Sequence, residues 1–253
     1  MFFCVSISWY GIMDTEKLRT LNMKYELLVD INPLGIDAVL ADENGQVQNI
    51  HTPFEGHDFA VTMLTLDEFL TAIKSAFAHL ENILQHNDEI EQVYFKNIMN
   101  GWMALDADFN PLTPILMGRE TDAHFIEALM MNGIGGQLQR KTGVPLAVTL
   151  PLIITLRLKN EQPDTYAQAA HYMTLREYMV YLLFGQNTTD AAFAARTGFY
   201  NTEHATWDGQ ALALTGLRMD QLPDLVSKDE LTGRLDVDWL PEMITDATNF
   251  KMH

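Results

Sequence analysis

Tyr25-Glu26-Leu27-Leu28-Val29-Asp30-Ile31-Asn32-Pro33-Leu34-Gly35-Ile36-Asp37-Ala38-Val39-Leu40-Ala41-Asp42-Glu43-Asn44-Gly45-Gln46-Val47 is the stretch whose reading decides the fold. Tyr25 to Ile31 reads as a short, mostly apolar strand, Asn32 to Gly35 as a turn, and Ile36 to Ala41 as a second strand. Asp42-Glu43-Asn44-Gly45 turns the chain again, Asn-Gly supplying the positive φ of a tight hairpin, and Gln46 to His51 forms a third strand. The expected product is an antiparallel meander with one carboxylate, Asp30, near the end of its first strand.

Outward from the meander, Thr65-Leu66-Asp67-Glu68 has the form of a capping box. Leu66, Phe69, Ile73, Phe77, Leu80 and Leu84 recur at helical spacing, which predicts an amphipathic helix to about His86. Gln92 to Phe95 and Trp102 to Leu105 read as further strands, the second closed by the polar turn Asp106 to Asn110. From Asp122 the pattern is mainly helical: Ala123 to Met131, ended by Gly133, Gly135 and Gly136; Leu152 to Asn160, stopped near Pro163; a second capping box at Thr174 opening a helix that ends at Gly185. Thr189 or Asp190 caps Ala191 to Arg196, and Gly216 closes Asp208 to Thr215. There is no internal repeat or Pro/Gly/Ser linker, so a single domain is expected.

Composition narrows the function classes. The chain has 253 residues, 47% of them hydrophobic, with 34 Asp and Glu against 16 Lys and Arg, a net charge of −18. A surface of that sign repels phosphate backbones and anionic lipid, which argues against nucleic-acid and membrane partners. Cys4 is the one cysteine, so no intramolecular disulfide forms, and a reducing cytoplasm is the expected compartment. Residues 1–13 lack the basic start and cleavage site of a signal peptide. Met23 directly precedes the first strand, so residues 1–22 are expected to be a poorly ordered extension. The eight histidines are scattered, and His51 and His57 have no close third ligand, so no metal site is assigned.

The order of meander, crossover helix and strand resembles the start of the ribonuclease-H-like fold of actin and the hexokinases. In detail it is similar to the FGGY family of carbohydrate kinases. Thr142-Gly143-Val144-Pro145, Pro151-Leu152 and Leu156 to Pro163 resemble the family's Thr-Gly-x-Pro … Pro-Leu … Trp-Leu-Lys-x-x-x-Pro run. Leu175-Arg176-Glu177-Tyr178 with Leu183-Phe184-Gly185, then Thr189-Asp190, Ala194 to Tyr200 and Trp207-Asp208, continue in the family's order and spacing. Gluconokinase-like and xylulokinase-like members show the likeness most. It covers Lys24 to about Glu242, the family's first, sugar-binding domain, so residues 23–253 are expected to fold as that α/β domain, with parallel strands and flanking helices around the meander and without the second, ATP-binding domain.

The resemblance implies two sites. Ile98-Met99-Asn100-Gly101 and Pro114-Ile115-Leu116-Met117-Gly118-Arg119-Glu120-Thr121 stand where the family contacts its sugar, making Asn100, Met117, Arg119 and Thr121 the substrate-facing residues. The family has His, Trp, Asp and Arg at those positions. Asp30 and Asn32 lie on the turn that faces the ATP phosphates, with Mg as the accompanying metal. There Asn32, Pro33 and Leu34 replace donor-rich Gly, Thr and Thr. Asp37 replaces a Lys, which at an effective dielectric of ~20 and ~6 Å turns about 3 kcal/mol of attraction for a phosphate into repulsion of similar size. The family's catalytic base lies in a Gly-rich segment; Asp246 lacks those glycines, and no catalytic residue is assigned.

The reading is therefore the sugar-binding half of an ATP-dependent kinase for a sugar or sugar acid, gluconate or a pentulose, expected to be inactive as this chain alone. A non-catalytic sugar-binding or protein-interaction module is the alternative. Leu235, Val237, Trp239, Leu240 and Met243 are expected to leave an apolar face uncovered, for self-association or a separately encoded second domain.

Overall fold

A computed structural model describes residues 23–32, 34–54, 64–96, 101–227, 235 and 237–252. The extension 1–22, Asn100 and most of the segment just before Leu235 lie outside the described residues.

The meander forms as β1 (Lys24–Asn32), β2 (Gly35–Asp42) and β3 (Val47–Pro53), each antiparallel to the next. Alternation sorts its side chains: Leu27, Val29, Ile31, Ile36, Ala38 and Leu40 are buried on one face, while Asp30, Asn32 and Asp37 lie on the other. Both turns are sequence-specified. The Asn32 side chain accepts the Leu34 amide, and Gly35 has φ +152° with no room for a Cβ, which would sit 2.3 Å from the Thr52 carbonyl oxygen. At the second turn the positive φ falls on Gly45, and Asp42 accepts the Asn44 and Gln46 amides.

Helix α1 (Leu66–Glu81) crosses over the buried face. Thr65 and Glu68 exchange capping hydrogen bonds at its start, and the helix stops a turn short of His86, with Asn82 as its C-cap. β4 (Glu89–Lys96) then joins β1 in parallel, and a distant strand, β11 (Asn249–Met252), joins β4 in parallel. The sheet order is β11-β4-β1-β2-β3. The sequence carries no local signal for β11, because only its long-range pairing to β4 makes it a strand.

Between β4 and β11 the chain builds a mainly helical lobe. It comprises β5 (Trp102–Leu105), α2 (Ala123–Met131), α3 (Ile134–Thr142), α4 (Pro151–Glu161), α5 (Pro163–Gln168), β6 (His171–Thr174) and α6 (Leu175–Phe184). It continues through β7 (Thr188–Asp190), α7 (Ala191–Ala195), β8 (Tyr200–Asn201), β9 (Thr206–Trp207), α8 (Gly209–Thr215) and β10 (Asp224–Val226). The β5–β6 ladder is the wall between two cores. Met103, Leu105 and Met173 face the sheet and α1. Trp102, Ala104 and Tyr172 face the helical lobe, with Trp102 stacked at 6.0 Å on both Tyr172 and Phe199. A strand buried on both faces explains why Trp102 to Leu105 reads as a continuous apolar run.

Two expectations are corrected. Gly135 and Gly136 do not end a helix; they lie inside α3, where a Cβ on Gly135 would come within 2.6 Å of the Met130 sulfur. The terminal cluster is not uncovered either. Leu235, Val237, Trp239 and Leu240 pack against the sheet core, Met243 is buried, and Trp239 meets Phe77 edge-on at 5.7 Å. The segment returns over its own sheet because the Met243 carbonyl accepts the Ile90 amide, which leads directly into β11.

Candidate functional site

Asp30 and Asn32 close β1, and Lys96 closes the parallel neighbour β4 in register with Asp30. Chain ends of adjacent parallel strands are where open α/β sheets place their ligands. The sequence motifs did not single out Lys96; its place beside Asp30 comes from the pairing of β4 with β1. Asn100 lies outside the described residues; Gly101, which follows it, is described. A Cβ there would lie 2.0 Å from Ile115 Cγ2 and 3.5 Å from the Met117 sulfur, and Trp102 exchanges backbone hydrogen bonds with Leu116. Gly101 and Trp102 are thus adjacent to the Ile115–Met117 segment, and glycine is required for that approach.

The strip from Met117 to Asp122 is held from beneath. Arg157 of α4 reaches it with one guanidinium nitrogen 2.5 Å from Asp122 Oδ2 and another donating to the Met117 carbonyl. The same Asp122 oxygen accepts the Arg119 amide. Burial pulls the Arg157 pKa below its ordinary value while Asp122 pushes it back up, and a guanidinium stays charged against such a pull. Above this support, Met117 is half-buried, Arg119 and Thr121 are exposed, Arg119 pairs with Glu161 at 3.2 Å, and the Thr121 carbonyl accepts from His124 Nδ1. Arg157 and Asp122 did not stand out in the sequence, although one cation within the apolar run Leu152 to Leu158 demands a buried partner.

The turn between β1 and β2 has a different character. Asp30 stands directly across from Asp37 in the β1–β2 ladder. Asp37 is not an idle carboxylate: Asn32 Nδ2 donates to its Oδ2 at 2.9 Å, and His51 Nδ1 lies 2.7 Å from its Oδ1. The donor that Asn32 would offer an anion is turned onto a carboxylate of the same turn.

A mixed sheet of that order, with a hairpin closing β1 and a helical lobe inserted between β4 and β11, has the ribonuclease-H-like fold. The model of the FGGY family of carbohydrate kinases, N-terminal domain, matches residues 25–243, and the chain belongs to that family. A gluconokinase of Bacillus subtilis (strain 168) is 28% identical over 215 residues, covering 82% of this chain and 41% of the relative. A xylulose kinase of Staphylococcus xylosus is 23% identical, covering 84% and 45%. The crystal structure of gluconate kinase from Lactobacillus acidophilus superposes with a TM-score of 0.77 at 21% identity, over 91% of this chain and 48% of that one; at that identity the likeness concerns the fold. The chain spans less than half the length of these relatives.

Proposed function

We propose that this chain is the sugar-side half of a carbohydrate phosphotransferase, that it binds a sugar or sugar acid, and that by itself it does not transfer phosphate. Family membership supports the first part, and relatives named gluconokinase and xylulose kinase suggest gluconate or a pentulose as ligand. Asn100, Met117, Arg119 and Thr121 are the proposed contacts, with Arg119 the cation for a sugar-acid carboxylate. The observation that carries the last part is the closure of the phosphate turn on Asp37. Phosphoryl transfer works by holding phosphates and Mg²⁺ with pre-aimed donors, and here the donor side chain is spent and the lysine position carries a negative charge. ATP and Mg belong to the family reaction. Asp30 and Asn32 are the groups of this chain that would face them; Asp37 across from Asp30 opposes an anion there, while Lys96 stands in register with Asp30 on the other side. The proposed setting is the cytoplasm.

Calorimetric titration with gluconate and with xylulose tests the sugar half of the reading. Saturable binding of one of them, weakened about tenfold or more by Arg119→Ala in the case of gluconate, agrees with a charge-assisted contact; absence of binding to both contradicts it. The locked turn equally favours a second reading, a non-catalytic sugar-binding or protein-interaction module.

A further inference from the structure

The hairpin that delivers the chain to the Met117–Asp122 strip is pinned at its tip by one aromatic ring. β5 runs to Leu105, and the turn Asp106–Asn110 reverses the chain. The returning arm pairs back onto β5, Pro111 with Leu105 and Leu116 with Trp102, one residue before Met117. Asp106 ties the turn, its carboxylate accepting the Asp108 and Asn110 amides. Phe109 sits in that turn with φ +62°, a left-handed conformation that a bulky side chain rarely adopts. A sandwich holds it there. Its ring stacks on His171, the first residue of β6, with centroids 4.2 Å apart and planes at 5°, and on Tyr181 of α6 at 4.1 Å. Such stacks add to the burial of the ring and offset the cost of the strained backbone. The His171 ring has a further property: its Nδ1 is buried and has no hydrogen-bond partner among the described residues. With its proton on Nε2 the neutral ring leaves Nδ1 a bare acceptor, whereas the protonated ring puts a charged N–H donor where no acceptor stands, at greater cost.

We propose that Phe109 and His171 form a pH-sensitive clasp on this hairpin, closed while the imidazole is neutral and loosened when it takes a proton. The groups facing the ring agree with that direction. From the turn it faces Asp106, and from the 3₁₀ turn Met219–Gln221 it faces Asp220; α6 offers the phenol of Tyr181 beyond Phe109, and β6 itself carries no other charge. Both carboxylates are engaged elsewhere, Asp106 by Asn110 and Asp220 by Arg218. A cation also gains from the Phe109 face. Burial outweighs these attractions and holds the His171 pKa below its ordinary value. A lowered folded-state pKa leaves the closed clasp at full strength above the unfolded histidine value of about 6.5 and weakens it as pH falls through the folded value. The Asn110 amide holds Asp106 below the ordinary carboxylate range, so the bonds that tie the turn persist across that window. As a control on the strip, the clasp rests on the sugar-side reading; its opening is measured without ligand, so the two fail separately.

Amide hydrogen exchange followed by NMR on the full, ligand-free chain tests the clasp, with rates corrected for the intrinsic pH dependence of exchange. The reporters are the Phe109 and Asn110 amides in the turn and the Leu112 and Leu116 amides in the returning arm, all hydrogen-bonded in the closed hairpin. The amides of α4 serve as reference. Between pH 7.5 and pH 5.0 the protection of the reporters is expected to fall about fivefold or more relative to α4, the worth of one buried donor left unmatched. His171→Phe keeps a ring against Phe109 and cannot take a proton, so its protection is expected to stay level over the same range. Phe109→Gly adopts φ +62° without strain, and it is expected to lose protection already at pH 7.5 because the ring is missing. The clasp is overturned by protection that is independent of pH in the wild type, by a pH dependence that survives in His171→Phe, or by wild-type protection in Phe109→Gly.

Discussion

Arg157 and Asp122 lie 35 positions apart and meet at 2.5 Å, each side chain only 2% exposed. Their pairing fixes the floor of the Met117–Asp122 strip, the proposed sugar contact, through the Met117 carbonyl and the Arg119 amide. Removing one partner leaves a buried charge uncompensated, so Arg157→Met is expected to cost about 3–5 kcal/mol in urea unfolding. Combining it with Asp122→Leu is expected to recover part of that loss. The exposed Arg119–Glu161 pair gives the contrast: Arg119→Ala is expected to change stability by less than ~1 kcal/mol. Equal losses for the two arginines would contradict the assignment of support to one and ligand contact to the other.

Gly101 admits no side chain beside Ile115, whose Cγ2 would lie 2.0 Å from the added Cβ. Gly101→Ala is therefore expected to destabilise by about 1–3 kcal/mol, the usual cost of overpacking, and to weaken the proposed sugar binding, because it pushes the chain away from Ile115 and Met117. A double-mutant cycle with Ile115→Ala checks the cause. Coupling of at least ~1 kcal/mol in the relieving direction is expected for a direct clash, and strict additivity would show that the strain lies elsewhere.

Asp208 caps α8, accepting the Gln210 and Ala211 amides, a hydrogen bond from Asn201, and a 3.1 Å ion pair from Lys141. Burial alone would raise its pKa, but the Ala211 amide, Asn201 and Lys141 outweigh it and hold the carboxyl below its ordinary value. A depressed folded-state pKa gives stability that is present above the unfolded value of about 3.9 and is lost as pH falls through the lower, folded value. Asp208→Ala is expected to cost about 2–3 kcal/mol at pH 7. The stability gap between wild type and Asp208→Asn, measured by urea unfolding, is expected to be constant above about pH 5 and to shrink below about pH 4. A gap that widened on acidification would reverse the sign of this account.

The parts of the fold legible in the sequence are those fixed by local chemistry. The Thr65–Glu68 box, the Asn32 and Gly45 turns and the Gly185 and Gly216 helix ends rest on bonds within a few residues. What stayed hidden depends on long-range contact. β11 is a strand only because β4 pairs with it, and Gly135 reads as a helix end until α2 and α3 are seen to pack closely there. The terminal cluster around Trp239 reads as exposed until Phe77 is found against it. The site divides the same way. Motif order proposes the strip from Met117 to Thr121 and the turn at Asp30 and Asn32, whereas the Arg157 support, the register of Lys96 with Asp30 and the two bonds to Asp37 needed the third dimension.

The central claim, that this chain binds sugar without transferring phosphate because Asp37 closes the phosphate turn, is tested most directly by coupled ADP release from MgATP in the presence of gluconate or xylulose. The account predicts no turnover above the rate without sugar. Sugar-dependent ADP release that disappears on Asp30→Ala would contradict it.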